Sequence, residues 1–173
     1  CWGVQNSLFE ENSIHHNGHI KHRNGISIGH KDTDNRIERN HVYENGKHGI
    51  CFRKKTEANG AHRNVLRENE IENNGTPNNK VPARFHDNPR LELMYCGIYV
   101  SGITHDLLLE QNTIRETRTG NDRLQVNAIY LGPGVSRVNM VENRMEGHLE
   151  EAIADHSGSS DNRLQLETAL RNT

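Results

Sequence analysis

Basic side chains follow two short apolar segments of this sequence at matching places. The run Arg53-Lys54-Lys55 comes directly after GICF (residues 49–52), and the pair His30-Lys31 comes just after GISI (residues 25–28). Cationic side chains bind carboxylates and neutralise developing negative charge. The pattern predicts an anion-binding cluster, whereas the simplest alternative is a solvated basic turn.

Two tyrosines occupy the same place in later segments of the same kind. Tyr99 is the third residue of GIYV and Tyr130 the third residue of AIYL, while Ser101 follows the first of these. Tyrosine, histidine or lysine can act as a base beside a cation that stabilises the resulting charge. We therefore take Tyr99, Tyr130 and His48 as candidate bases and Arg53 as the candidate stabiliser.

The elements that would position these residues emerge from an internal repeat. A template with an apolar residue, two variable residues, Asn, one variable residue and an apolar residue occurs five times, with intervals between asparagines of 28, 29, 43 and 31 residues. Its occurrences are Phe9/Asn12/Ile14, Ile37/Asn40/Val42, Leu66/Asn69/Ile71, Leu109/Asn112/Ile114 and Met140/Asn143/Met145. Repeat units of this length cannot bury their apolar side alone, so they must stack.

Each unit is predicted to hold two or three short strands with sharp bends between them. Asn-Gly at 17–18, 45–46 and 74–75 supplies the backbone conformations of a tight corner. A second strand follows each template, and four of these strands alternate apolar and variable residues. These strands are GISI, GICF, GIYV, AIYL and AIAD (residues 152–155).

Stacked units would pair their strands in parallel, at about 4.8 Å per coil. Asn40 and Asn69 would then be rungs of one ladder, because stacking satisfies a buried amide that is otherwise costly. From Phe9 to Ile153 the pattern resembles the right-handed parallel β-helix family, the pectate-lyase-like and NosD-like repeat proteins. We expect an all-β solenoid of about five to six coils, with an asparagine ladder and one inserted loop.

A leucine-rich repeat is the alternative fold, because it also carries Leu-x-x-Asn-x-Leu. That repeat places two leucines upstream of the unit. Asp32 and Asn35 stand at those places here, which favours the β-helix.

Alternation along the second strands predicts which side chains point outward. If Ile26, Ile50, Ile98, Ile129 and Ile153 face the core, then Ile28, Phe52, Val100, Leu131 and Asp155 do so too. The predicted outer columns are Ser27, Cys51, Tyr99, Tyr130 and Ala154, and beside them Gly29, Arg53, Ser101, Gly132 and His156.

The family resemblance implies that this strand face forms a polysaccharide groove. An acidic, uronate-containing polymer would suit the basic cluster, and lyases of this fold remove a proton alpha to the uronate carboxylate. In this hypothesis Tyr99 over Tyr130 is a sugar-stacking platform. The substrate-binding residues would be His30, Lys31, Lys54, Lys55 and Ser101.

Two weaker patterns suggest other chemistry. Asp32 and Asp34 could serve hydrolysis or bind Ca²⁺, although such residues more often form turn hydrogen bonds. Asp155-His156-Ser157 loosely resembles the Asp-Pro-His-Ser signature of alginate epimerases, without its proline. No cofactor follows with certainty, and we predict no metal site.

Histidine and cysteine are interpreted as structural. Four of the twelve histidines cluster at positions 15, 16, 19 and 22, and we expect them to be surface filler rather than zinc ligands. Cys51 and Cys96 fall three positions apart in register, so we expect no disulfide between them.

Bulk properties bound the remaining possibilities. The length of 173 residues predicts one domain (1–173), and residues 76–95 are predicted to be a loop inserted in one coil. A formal charge of −2 predicts no nucleic-acid partner, and no apolar run is long enough to span a membrane. The start at Cys1 suggests a fragment of a longer solenoid, whose ends could self-associate or bind further coils.

Two functional classes stay open. One is a lyase or epimerase acting on acidic polysaccharide, and the other is a non-catalytic structural or glycan-binding module of a larger surface or periplasmic protein. Either hypothesis places the chain in the extracellular space or the periplasm.

Overall fold

The computed structural model describes residues 2–18, 23–77 and 94–165. Within these ranges the chain winds through three parallel sheets, and each coil contributes one strand to each sheet in turn. The first sheet contains β1 (Leu8–Glu10), β4 (Arg36–Glu38), β7 (Val65–Arg67), β10 (His105–Glu110), β13 (Ser136–Val141) and β16 (Arg163–Gln165).

The other two sheets contain five strands each. The second contains β2 (Ser13–His15), β5 (His41–Tyr43), β8 (Glu70–Glu72), β11 (Thr113–Arg115) and β14 (Arg144–Glu146). The third contains β3 (Ile26–Ile28), β6 (Ile50–Phe52), β9 (Tyr95–Val100), β12 (Gln125–Leu131) and β15 (Ile153–Asp155). Short 3₁₀ helices lie at Glu57–Asn59 and Gly120–Asp122.

Parallel pairing places equivalent apolar residues directly above one another. Phe9 pairs with Ile37 and Ile37 with Leu66 in the first sheet, while Ile50 pairs with Ile98 in the third. These columns point inward from all three sheets and form one continuous core along the axis. The expected all-β solenoid of stacked coils is confirmed.

The predicted asparagine ladder stands at the corner between the first and second sheets. The side-chain amide of Asn40 donates to Oδ1 of Asn69 at 3.1 Å, and that of Asn69 donates to Oδ1 of Asn112 at 2.9 Å. The same amides bond the carbonyls of the preceding coil, as Asn69 does to Ile37 at 2.8 Å. Every rung therefore satisfies buried backbone groups as well as its neighbour.

A second ladder occupies the Asn-Gly corners between the second and third sheets. Asn17 donates to Asn45 and Asn45 to Asn74, at 3.1 and 3.0 Å. Gln125 continues this ladder, because its Oε1 lies 3.4 Å from the backbone nitrogen of Asn74. The sequence template missed Gln125, since a longer amide reaches the same place from another backbone position.

The glycines at the start of the third-sheet strands are required because side chains of the second sheet lie very close to the backbone there, not because the chain turns. A Cβ on Gly97 would lie 2.3 Å from Cγ2 of Ile114, and a Cβ on Gly49 would lie 2.6 Å from Cγ2 of Ile71. The isoleucines of the second sheet thus fill the space that a side chain would need. This explains why glycine opens GISI, GICF and GIYV.

Several sequence predictions concern residues at or beyond the limits of the described ranges. AIAD contains strand β15, as predicted. Most of the inserted loop predicted at residues 76–95 lies outside the described residues, which resume at Met94. No helix among the described residues is long and apolar enough to cross a membrane.

Asn69→Ala is expected to destabilise the fold by about 3 kcal/mol or more, because it leaves buried groups of Asn40 and Ile37 without partners. Urea denaturation monitored by circular dichroism measures this change. Asn121→Ala, at an exposed position, is the control and should stay within about 0.5 kcal/mol of the parent. Equal midpoints for the two variants would contradict a stabilising ladder.

Candidate functional site

The two predicted columns lie on the side of the third sheet away from the main core, but Cys51, Tyr99 and Ala154 are buried rather than exposed as predicted. Cys51 pairs with Tyr99 and Tyr99 with Tyr130, so these side chains stack at successive coils. Arg53 and Ser101 each lie two residues further along the chain, directly after the ends of β6 and β9. Asp155 pairs with Leu131 as expected, yet it is exposed rather than buried in the core, because an ionised carboxylate is costly to bury.

Aromatic rings form a continuous stack along the first column. The rings of Tyr99 and Tyr130 are 4.9 Å apart and 3° from parallel, and His48 lies 4.3 Å from Tyr99 on the opposite side. His156 lies 5.4 Å beyond Tyr130. The ring faces therefore contact one another, and the stack presents ring edges outward instead of the open platform that we predicted.

His48 lies beneath this surface. Its side chain is fully buried, and its Nδ1 accepts the backbone N–H of Cys96 at 3.2 Å. This bond assigns the ring proton to Nε2 in the neutral imidazole. A catalytic role for His48 stays a prediction, and its burial offers a substrate no direct route to it.

Arg53 is held in place by backbone and by one carboxylate. Its side chain extends over Gly29, and a terminal nitrogen lies 3.4 Å from the Gly29 carbonyl and 3.6 Å from Oδ2 of Asp32. About a third of the side chain is exposed. The guanidinium is thus oriented before any ligand arrives, which reduces the cost of binding.

Asp32 and Asp34 have partners that explain them structurally. Asp32 is buried and accepts the backbone N–H groups of Val4 and Gly29 at 2.9 and 2.8 Å. Asp34 accepts two bonds from Arg63 at 2.7 and 2.8 Å, and this pairing holds the pKa of Asp34 below its usual value. The geometry favours turn and ladder roles over hydrolysis or Ca²⁺ binding.

The remaining basic residues gather at the corner that follows the third sheet. Partial desolvation, followed by the charges of Lys55 and Arg53, lowers the pKa of His30, so these three groups share one electrostatic field. Lys31 and Lys54 are exposed. Ser101 is half-buried, and its hydroxyl donates to the Phe52 carbonyl at 3.1 Å.

Trp2 joins this corner, which the sequence analysis missed. Its ring stacks on His30 at 3.9 Å and 8° from parallel, and 76% of the residue is exposed. The spacing of about one coil between Trp2 and His30 is the sequence signal for this contact, and Gly3 donates its backbone N–H to the His30 carbonyl across the same two coils. The asparagine template does not extend to Trp2, so it does not predict the contact between Trp2 and His30.

The weaker motifs resolve into local structure. Asp155 accepts the backbone N–H of Ser157 at 2.9 Å and the amide of Asn162 at 3.1 Å, which are bonds of a turn. Cys51 and Cys96 are buried thiols in one small cluster with Tyr99. His19 and His22 lie outside the described residues, whereas His15 and His16 are exposed.

Three parallel sheets around one core, joined by amide ladders, define a β-helix solenoid. The sequence model of the family described as right handed beta helix region matches residues 1–169, and the chain belongs to that family. Comparison with curated proteins and with solved structures yields no match.

Asp32→Asn is expected to cost about 1–3 kcal/mol, because the amide that replaces one oxygen confronts a backbone N–H group. Chemical denaturation measures the loss, with the exposed Asp122→Asn as the matched control. Asp32→Asn with the stability of its control would show that the carboxylate does not hold this corner.

Proposed function

We propose that this protein binds an acidic, uronate-containing polysaccharide at the corner formed by His30, Lys31, Arg53, Lys54 and Lys55, together with the adjoining face of the third sheet. The observation that carries the proposal is the gathering of these cations at one corner with few acidic partners. Among the residues that the structure describes, Lys31, Lys54 and Lys55 form no ion pair.

Most of the other arginines that the structure describes are paired with neighbouring carboxylates, as Arg53 is with Asp32. Arg67 pairs with Glu110 at 2.6 Å, and Arg137 pairs with Asp106 at 2.6 Å. The pairing with Arg137 is the main reason that the pKa of Asp106 falls to about 2. Lys31, Lys54 and Lys55 thus bring positive charge that no described carboxylate neutralises to one corner, although the net charge of the chain is slightly negative.

A polymer fits this surface better than a small anion does. The third sheet presents a straight, rigid face along the axis, and the rings of Tyr99, Tyr130 and His156 follow it from coil to coil. A chain of sugars could follow that face while its carboxylates reach Arg53 and the lysines. Trp2 adds an exposed aromatic surface beside the cations.

β-Elimination is the catalytic extension of this proposal. In this mechanism Arg53 would neutralise the uronate carboxylate, a tyrosine would remove the alpha proton, and the bond to the leaving sugar would break. Tyr130 is the better base candidate, because it is half-exposed whereas only 9% of Tyr99 is exposed. The alternative is a glycan-binding module that does no chemistry.

The double variant Lys54→Ala/Lys55→Ala should bind polygalacturonate or alginate roughly fivefold more weakly than the parent, because two surface charges are lost. Isothermal titration calorimetry at low salt measures the affinity, which should fall further as salt screens the contact. The single tryptophan supplies a second signal, a change in fluorescence on binding.

Arg144→Ala is the control for loss of positive charge elsewhere on the surface, because Arg144 is exposed on the second sheet. It should bind as the parent does, and neutral dextran should not bind either protein. An equal loss of affinity in Arg144→Ala, or equal binding of dextran, would show that the basic corner is not the site.

Incubation with the same acidic polymers should raise ultraviolet absorbance if the protein is a lyase, because elimination leaves an unsaturated uronate. Tyr130→Phe and Arg53→Ala should lose this signal, with Tyr130→Phe retaining binding. A flat trace with intact binding would exclude elimination on those polymers and leave the glycan-binding module.

A further inference from the structure

A second group of side chains with metal-binding chemistry lies on the outer face of the second sheet. His41 on β5 pairs in register with Glu70 on β8, and Tyr43 pairs with Glu72. His41, Glu70 and Glu72 all point outward, since Val42 and Ile71 between them are buried in the core. Parallel stacking thus brings one imidazole and two carboxylates together from neighbouring coils.

The three donor groups already converge. His41 Nε2 lies 2.8 Å from Oε1 of Glu72 and 3.9 Å from Oε2 of Glu70, and one donor atom from each residue lies within 4.8 Å of the others. Tetrahedral zinc, with metal–ligand bonds of about 2.1 Å, separates its donors by about 3.4 Å. Small side-chain adjustments would therefore bring the three atoms to coordinating distance.

Arg115 fixes the carboxylates from the next coil. Its Nε donates to Oε2 of Glu72 at 2.8 Å, and a terminal nitrogen bonds Oε1 of Glu70. Each glutamate thus uses one oxygen for Arg115 and turns the other toward His41. Hydrogen bonds of this kind orient ligating carboxylates in metal sites. Two carboxylates against one guanidinium also leave the cluster with net negative charge.

Ring stacking restrains the imidazole. The ring of Tyr43 lies 4.2 Å from that of His41, and His15 stacks on the far side of Tyr43 at 4.8 Å. Burial raises the pKa of Glu72, but hydrogen bonds from His41 and Arg115 outweigh it and hold the pKa below the ordinary value.

We propose that His41, Glu70 and Glu72 bind a divalent transition metal of the zinc type, with water completing the coordination. An imidazole donor favours zinc over Ca²⁺ or Mg²⁺, which prefer oxygen ligands alone. The side chains of His41 and Glu70 are about two-fifths exposed, so a metal ion can enter and retain a solvent ligand. This site lies on a different sheet from the proposed polysaccharide face.

The other candidate cluster, Glu57, His62 and His105, is less suited to metal. His62 uses both ring nitrogens, bonding the Glu57 carbonyl at 2.9 Å and accepting the backbone N–H of His105 at 3.3 Å. His105 has carboxylate oxygens at both nitrogens, from Glu57 and Asp106. These hydrogen bonds give that cluster a structural role, because they join neighbouring coils.

The test is calorimetric titration of Zn²⁺ into the untagged, chelator-treated protein, with visible absorption of Co²⁺ as a second probe of coordination. We expect His41→Ala and Glu72→Gln each to weaken Zn²⁺ binding at least tenfold and to remove the Co²⁺ bands. Circular dichroism confirms that each variant is folded, and Glu72→Gln keeps the size of the side chain.

Two histidine controls separate this site from chance binding elsewhere. His105→Ala removes the other cluster, and His16→Ala breaks the exposed pair that His16 forms with His15, whose nitrogens lie 2.7 Å apart. Both should bind Zn²⁺ within about twofold of the parent. Unchanged binding in His41→Ala, or loss of binding in His105→Ala or His16→Ala alone, would overturn the proposal.

Discussion

Stacked amides at the corners are the interaction on which this fold depends. A coil of about thirty residues must turn sharply, and each turn leaves buried backbone groups that no strand can satisfy. Asn40, Asn69 and Asn112 bond the carbonyl of the coil before and the amide of the coil after. One residue type thus closes the corner and sets the register of two neighbouring coils.

The fixed register between coils determines which side chains meet on the outer faces of the sheets. Because every strand pairs in parallel with its neighbour, side chains that are 24 to 51 residues apart in sequence come into contact in space. His41 meets Glu72 in this way, and Tyr99 meets Tyr130. The backbone is constant from coil to coil, so the chemistry of each face depends only on which outward residues occupy it.

The three faces use charge differently. The first sheet neutralises arginines with acids, and even the buried Glu38 is bonded by Arg36 at 2.8 Å. The second sheet holds carboxylates around an imidazole, which suits a cation. The corner after the third sheet gathers positive charge, which suits an anion. One uniform solenoid therefore supports two proposed sites of opposite preference, each tested by variants that leave the other site unchanged.

The sequence by itself determined the repeat, the inward and outward sides of the third sheet and the first ladder, because these follow from local periodicity and from amides that recur at coil intervals. Only the tertiary structure decided which outward groups are usable. Burial of His48, the anchoring of Arg53 by Asp32 and the meeting of His41 with two glutamates depend on side-chain packing between coils. The sequence pattern did not predict Gln125 as a member of the second ladder, because its longer side chain reaches the ladder from a position that no fixed spacing specifies.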